Sequence, residues 1–108
     1  MEDATLVRAL KALADATRFR MVREIAAAGE LSCGQVGETF PLKQPTISHH
    51  IKILSDAGLI NVRREAQHAF ISVNKANLSQ VLGLLPERLE GAPESRAAGT
   101  RAKSKRSR

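Results

Sequence analysis

KQPTISHHIKILSDAGLINVRR, residues 43–64, is the stretch that decides the fold. Stepped at about 100° per residue, Ile47, Ile51 and Leu54 fall on one side and have to face a core. Gln44, Ser48, His49 and Lys52 fall on the other. That outer side offers hydrogen-bonding groups and one cation, with no carboxylate before Asp56. A merely solvated helix face usually mixes signs, with Glu–Lys pairs four residues apart. Pro45 fits the first helical turn, where its missing N–H costs nothing. Gly58 stops the helix, and Ile60 and Val62 then alternate with Asn61 and Arg63 in strand periodicity. The outer face suits base edges and phosphates. The stretch therefore reads as a DNA-recognition helix followed by a basic wing.

Working outward, Leu6, Leu10 and Leu13 mark a first helix. Asp15 is placed as the N-cap of a second, in which Phe19, Val22 and Ile25 with Ala26 form the expected buried stripe. Gly29 is a natural stop for it. Ser32 to Gln35 is a capping-box pattern opening a short third helix. Phe40-Pro41-Leu42 breaks the chain before the helix at 43–56. Downstream, Ala69, Ile71 and Val73 alternate with His68, Phe70 and Ser72 in a returning strand, with Glu65-Ala66-Gln67 as the hairpin tip. A last amphipathic helix carries Leu78, Leu82, Leu85 and Leu89, and Pro86 is expected to kink or end it near Leu85. The fold expected is mainly α with a small β-hairpin, four helices, two strands and a fifth helix: a winged helix-turn-helix over residues 1–90.

The 108 residues suffice for one domain. The net charge of +6 is uneven: residues 1–94 balance, and Arg96, Arg101, Lys103, Lys105, Arg106 and Arg108 supply the whole excess. Residues 91–108 hold no large apolar side chain and are expected to be a disordered basic tail. Such a tail either solubilises or adds phosphate contacts. No apolar run approaches the ~18 residues of a membrane span. The start, MEDATLVRAL, lacks a basic leader region, and the single cysteine allows no internal disulfide, so a cytoplasmic location is expected, without membrane association. There is no Gly-rich phosphate loop and no nucleophile–histidine pattern, so no enzymatic activity is expected. Three Phe with no Trp or Tyr leave no stacking platform for single strands.

The sequence resembles the ArsR/SmtB-type transcriptional repressors. Leu13-Ala14-Asp15-Ala16-Thr17-Arg18 is similar to that family's LADPTR opening, with Ala16 in place of proline. Glu30-Leu31 before a short helix, residues 45–54 (PTISHHIKIL), Ala57-Gly58-Leu59-Ile60 and Arg63-Arg64-Glu65 are similar to its third helix, recognition helix and wing. The likeness covers about residues 4–90. It implies a homodimer on an inverted-repeat operator in double-stranded DNA, blocking transcription until an inducer, here unknown, releases it. It also implies dimerisation through the first and last helices. The Leu stripes agree with that, naming Leu6, Leu10, Leu78, Leu82, Leu85 and Leu89, although both stripes could instead pack within one protomer.

Metal-sensing members place Cys-x-Cys after this Glu-Leu, and the matching positions here are Ser32 and Gly34. Cys33 falls between them. Other members use Asp and His on the last helix, and residues 77–90 contain neither. A tight zinc site needs about four convergent ligands, so no metal and no cofactor is expected. Cys33 itself reads two ways. At the first turn of a helix it is placed to be a redox-responsive thiol, or it is a small, partly buried apolar residue.

Within the recognition helix, Gln44 can contact adenine bidentately from the deepest position. Thr46 and Ser48 can donate to phosphate or base. His49 stands where the family often carries Arg and should read bases less strongly. His50 lies nearer the apolar face and reads as a packed, hydrogen-bonded residue. Lys52 suits a phosphate. Arg63, Arg64, Gln67 and His68 are placed to meet the backbone or minor groove through the wing, with Arg63 and Arg64 on opposite faces. The wing tip lacks the family's glycine and carries Glu65, which phosphates repel. Two other classes stay open. One is an architectural DNA binder relying on the tail. The other is a winged helix used for protein contacts.

Overall fold

The computed structural model describes residues 1–91. Its elements run α1 (Asp3–Leu13), α2 (Ala16–Ala28), β1 (Leu31–Ser32), α3 (Cys33–Thr39), α4 (Gln44–Asp56), β2 (Ile60–Glu65), β3 (His68–Val73) and α5 (Lys75–Glu90). From residue 92 onward, the basic tail lies outside the described residues. The described residues separate into two compact units, Met1–Leu78 and the stretch from Ser79 on. The first holds α1 to α4, the sheet and the first turn of α5. The described part of the second is the remainder of α5.

Helix ends follow local chemistry. The Asp15 carboxylate accepts the Arg18 N–H at 3.0 Å and opens α2. At α3, the Gln35 N–H donates to Ser32 Oγ at 3.1 Å while the Ser32 N–H donates to Gln35 Oε1 at 2.8 Å. Two orphan donors are satisfied reciprocally. Gly58 follows α4 at φ +76°, and a Cβ there would stand 2.8 Å from Asn77 Nδ2. That amide donates to the Gly58 carbonyl at 2.8 Å. The dihedral demands glycine, a side chain there would have to displace the Asn77 amide, and the bond ties the end of α4 to the start of α5.

In the first unit the core is built on Met21, Ile25, Val36, Ile47, Leu54, Leu59 and Ile71, each at most 1% exposed. Burying a side chain of this size so completely contributes about 1.5–3 kcal/mol. All three apolar residues expected to anchor the recognition helix, Ile47, Ile51 and Leu54, are buried. The sheet is antiparallel in the order β1-β3-β2. Val62 and Arg64 share one of its faces with their partners Ile71 and Ala69. Asn61 and Arg63 share the other with Ser72 and Phe70.

Four local expectations change. A third strand, β1, pairs Leu31 with Ile71 and Ser32 with Phe70; two residues are too few to show a period. In α2, Phe19 is 55% exposed and Ala26 is exposed, while Met21 is fully buried beside Val22 and Ile25. The buried stripe is rotated toward Met21, and Arg18 lies at its start, its Nε donating to the Ala12 carbonyl at 2.7 Å. In α5, Pro86 lies inside a helix that runs on to Glu90. Proline there removes the donor to residue 82, and both positions are exposed, so water can serve that carbonyl. Finally, Glu65 pairs with His68, leaving Ala66-Gln67 as a two-residue turn with Ala66 at φ +56°.

Two outcomes follow. Ala66 pays the left-handed cost that glycine avoids. Ala66→Gly should therefore raise stability by up to about 1 kcal/mol in urea denaturation; a loss would contradict the turn geometry. Asp15 titrates below the ordinary carboxylate range, first because it accepts the Arg18 amide, which outweighs its partial desolvation, and then through the charge of Arg18. Its stabilisation is present above the unfolded value and is lost as pH falls through the lower folded value. Asp15→Ala should cost stability at neutral pH and converge with wild type in acid, read from denaturation curves across that range.

Candidate nucleic-acid interface

The recognition helix α4 starts without a side-chain cap, on Lys43, with Pro45 in its first turn. Burial of Ile47, Ile51 and Leu54 fixes its rotation about its own axis. Gln44, Thr46, Ser48, His49 and Lys52 are then all exposed. Gln44 leans on α3: its Oε1 is 3.3 Å from where a Cβ on Gly37 would be. The absent side chain at residue 37 gives the Gln44 amide room at the helix start.

His50 differs from its neighbour His49. It is half-buried, and Arg18 Nη1 is 3.3 Å from its Nδ1. A guanidinium can only donate, so Nδ1 is placed as the acceptor of this contact. Arg18 thereby joins the last turn of α1, through the carbonyls of Ala12 and Lys11, to the middle of α4.

A groove of about 460 Å³ runs between α4 and the wing. Its polar lining is Ser48, Lys52, Ser55 and Asp56 from α4, Arg64 from β2 and Cys33 from α3. Ile51, Val62 and Ala69 complete it. Lys52 Nζ is 3.0 Å from Asp56 Oδ2 within this groove. Cys33 is a half-buried free thiol at the first position of α3.

The two wing arginines part company. Arg64 opens onto the groove beside Ser48 and Lys52. Arg63 lies on the opposite face of the sheet, with Nη2 at 3.0 Å from Glu30 Oε1 and Nη1 at 3.5 Å from Glu65 Oε1. Its guanidinium also stacks 4.6 Å over the Phe70 ring. The hydrogen bond to Glu30 raises its already high pKa further. Gln67 and His68 are exposed at the wing, His68 with its ring 6.1 Å from that of Phe70. The structure therefore brings Ser48, Lys52 and Arg64 together and leaves Arg63 and His68 on the far face.

Sequence reading missed the pairing of these cations with three acids, Asp56, Glu30 and Glu65. Lys52–Asp56 was legible as an i,i+4 pair. Glu30–Arg63 spans 33 positions and had no local signal. Arg20, stacked 4.8 Å over Phe40 at the turn before α4, was missed as well. Among the described residues no three of His, Cys, Asp and Glu gather as a metal-ligand group.

The residues expected at a dimer contact divide as well. On α1, Leu6 is buried in its own unit and Leu10 is half-buried, while Val7 is 45% exposed. On α5, Leu78 and Leu85 are half-buried, and Leu82 and Leu89 are 52% and 78% exposed.

Residues 13–63, from the end of α1 into the wing, match a family model described as a helix-turn-helix domain. The transcriptional repressor SdpR of Bacillus subtilis is 36% identical over 64 residues, which are 59% of this chain and 70% of that protein. The arsenical resistance operon repressor of Staphylococcus aureus is 33% identical over 73 residues, 68% of this chain and 69% of the relative. The crystal structure of an ArsR family transcriptional regulator superposes with a TM-score of 0.74 at 25% identity, over 89% of this chain and 97% of that one. No helix among the described residues is long and apolar enough to cross a membrane. Fold, site and relatives agree that the chain belongs to the ArsR/SmtB family of helix-turn-helix, DNA-binding transcriptional regulators and is not an enzyme.

Proposed function

We propose that this regulator is a cytoplasmic, homodimeric repressor that binds an inverted-repeat operator and has no metal site at the family's usual positions. One observation carries the reading: Ser48 and Lys52, on the exposed side of α4, open onto the same groove as Arg64. Base-reading groups and phosphate-binding cations then stand side by side, as a helix in a major groove requires. Gln44, Thr46, Ser48 and His49 read base edges. Lys52 and Arg64 meet phosphate. Arg63 is committed to Glu30, Glu65 and Phe70 and holds the wing in shape, with His68 beside it. Gln67 reaches the backbone from the tip.

Residues 1–90 serve as the DNA-binding and dimerising domain. Val7 and Leu10 on α1, and Leu82, Leu85 and Leu89 on α5, offer the apolar area for a second copy. Repression is our reading because more of the matching relatives are named repressors, SdpR and the arsenical resistance regulator among them, than are named activators, as HlyU of Vibrio cholerae is. A dimer spaces its half-sites about one helical turn, ~10 bp, apart.

The test is selection of duplexes from a random pool, then titration of the selected and a scrambled duplex. An inverted repeat bound at least about 10³-fold more tightly than the scramble is expected. Equal, salt-sensitive binding to both would replace this reading with an architectural one. Among variants, Gln44→Ala should relax preference at one base pair per half-site. Arg64→Ala should weaken both duplexes and flatten the dependence of log K on log salt by about one. Arg63→Ala should leave that slope alone and lower stability. A flattened slope with Arg63→Ala would reverse the assignment of the two arginines.

A further inference from the structure

Among the described residues lining the α4–wing groove, Asp56 is the acid, and it sits with Ser48, Lys52, Ser55 and Arg64. Its contribution to the fold is poor. It is the last residue of α4, where the helix dipole disfavours negative charge. Its ion pair with Lys52 runs in the less favourable order, cation before anion. Both partners are largely exposed, 72% and 55%, so the pair shifts an equilibrium by only about twofold. Neither helix stability nor the ion pair accounts for a carboxylate at this place.

We propose that Asp56 is a built-in brake on DNA affinity, acting by its charge on the phosphate backbone. With DNA seated in the groove, as the proposed function has it, Lys52 exchanges Asp56 for phosphate at little cost. The carboxylate is then left facing the same phosphates. Holding Lys52 back accounts for no more than the twofold above. A fixed negative charge within a Debye length of the backbone opposes every duplex, whatever its sequence. The brake therefore lowers affinity for all DNA and leaves base preference to Gln44 and its neighbours. It also keeps the groove's two cations from binding DNA by charge alone.

The experiment compares wild type, Asp56→Asn, Lys52→Ala and the double variant. Each is titrated on the selected and scrambled duplexes at several salt concentrations, with urea denaturation as a check on folding. Asp56→Asn should tighten both duplexes about tenfold near 0.1 M salt and steepen the salt slope by about one. The gain should persist when Lys52 is already alanine, because the charge acts directly. Stability should hold or rise. Unchanged or weaker binding by folded Asp56→Asn overturns the brake, as does a gain that vanishes without Lys52. If wild type binds no duplex, the DNA reading itself falls and this one with it. Wild-type binding with an indifferent Asp56→Asn removes the brake alone.

Discussion

Everything at the interface depends on the burial of one stripe of α4. Ile47, Ile51 and Leu54 are taken almost wholly out of water. Turning the helix by even one residue, about 100°, would expose them and bury polar groups, at a cost of several kcal/mol. The rotation is therefore fixed, and with it the direction of Gln44, Ser48, His49 and Lys52. The helix is held at its far end as well. Gly58 lets the chain turn immediately after it, and Asn77 fills the space a side chain would take. Arg18 adds a lateral hold through His50. These contacts do not touch DNA, yet they set what α4 presents to it.

Most of this was legible because it is written in short-range signals. The caps at Asp15 and Ser32, the stops at Gly29 and Gly58 and the period of α4 each occupy a few neighbouring residues. The miscalculated parts depend on distant partners. Phe19 was placed in the core because its spacing fits Val22 and Ile25. The stripe runs through Met21 instead, and the Arg18 side chain reaches the carbonyls of Lys11 and Ala12 on α1. β1 exists only because β3 lies beside it. The two wing arginines were correctly placed on opposite faces by alternation. Which face meets α4, and that Glu30 waits on the other, needed the tertiary structure. Pro86 does not end α5, which runs on to Glu90: the donor it lacks would serve an exposed carbonyl that water can reach.

Charge at the interface follows from placement more than from net balance. Residues 1–94 carry equal numbers of acids and bases, so net charge over this stretch gives no general attraction for DNA. Attraction has to come from sorting like charges to different faces. Glu30 and Glu65 are drawn to Arg63 on the far side of the wing, and this removes both acids from the groove that Arg64 and Lys52 share. The same pairing uses up one cation, so sorting trades gross charge for direction.

Asp56 is the exception to that sorting, and it explains why the others matter. A groove containing only Lys52 and Arg64 would bind any phosphate backbone. Salt-dependent, sequence-blind affinity raises the occupancy of the very large excess of non-operator DNA. A regulator gains by letting base contacts supply the margin between operator and competitor. Weak phosphate binding with intact base contacts does that, because lowering both affinities by one factor leaves their ratio unchanged and shortens residence on the wrong sites. Release from the operator also becomes easier, since less electrostatic attraction has to be overcome when the complex dissociates. In a chain whose last 14 residues add six positive charges, a carboxylate within the groove keeps that control close to where bases are read.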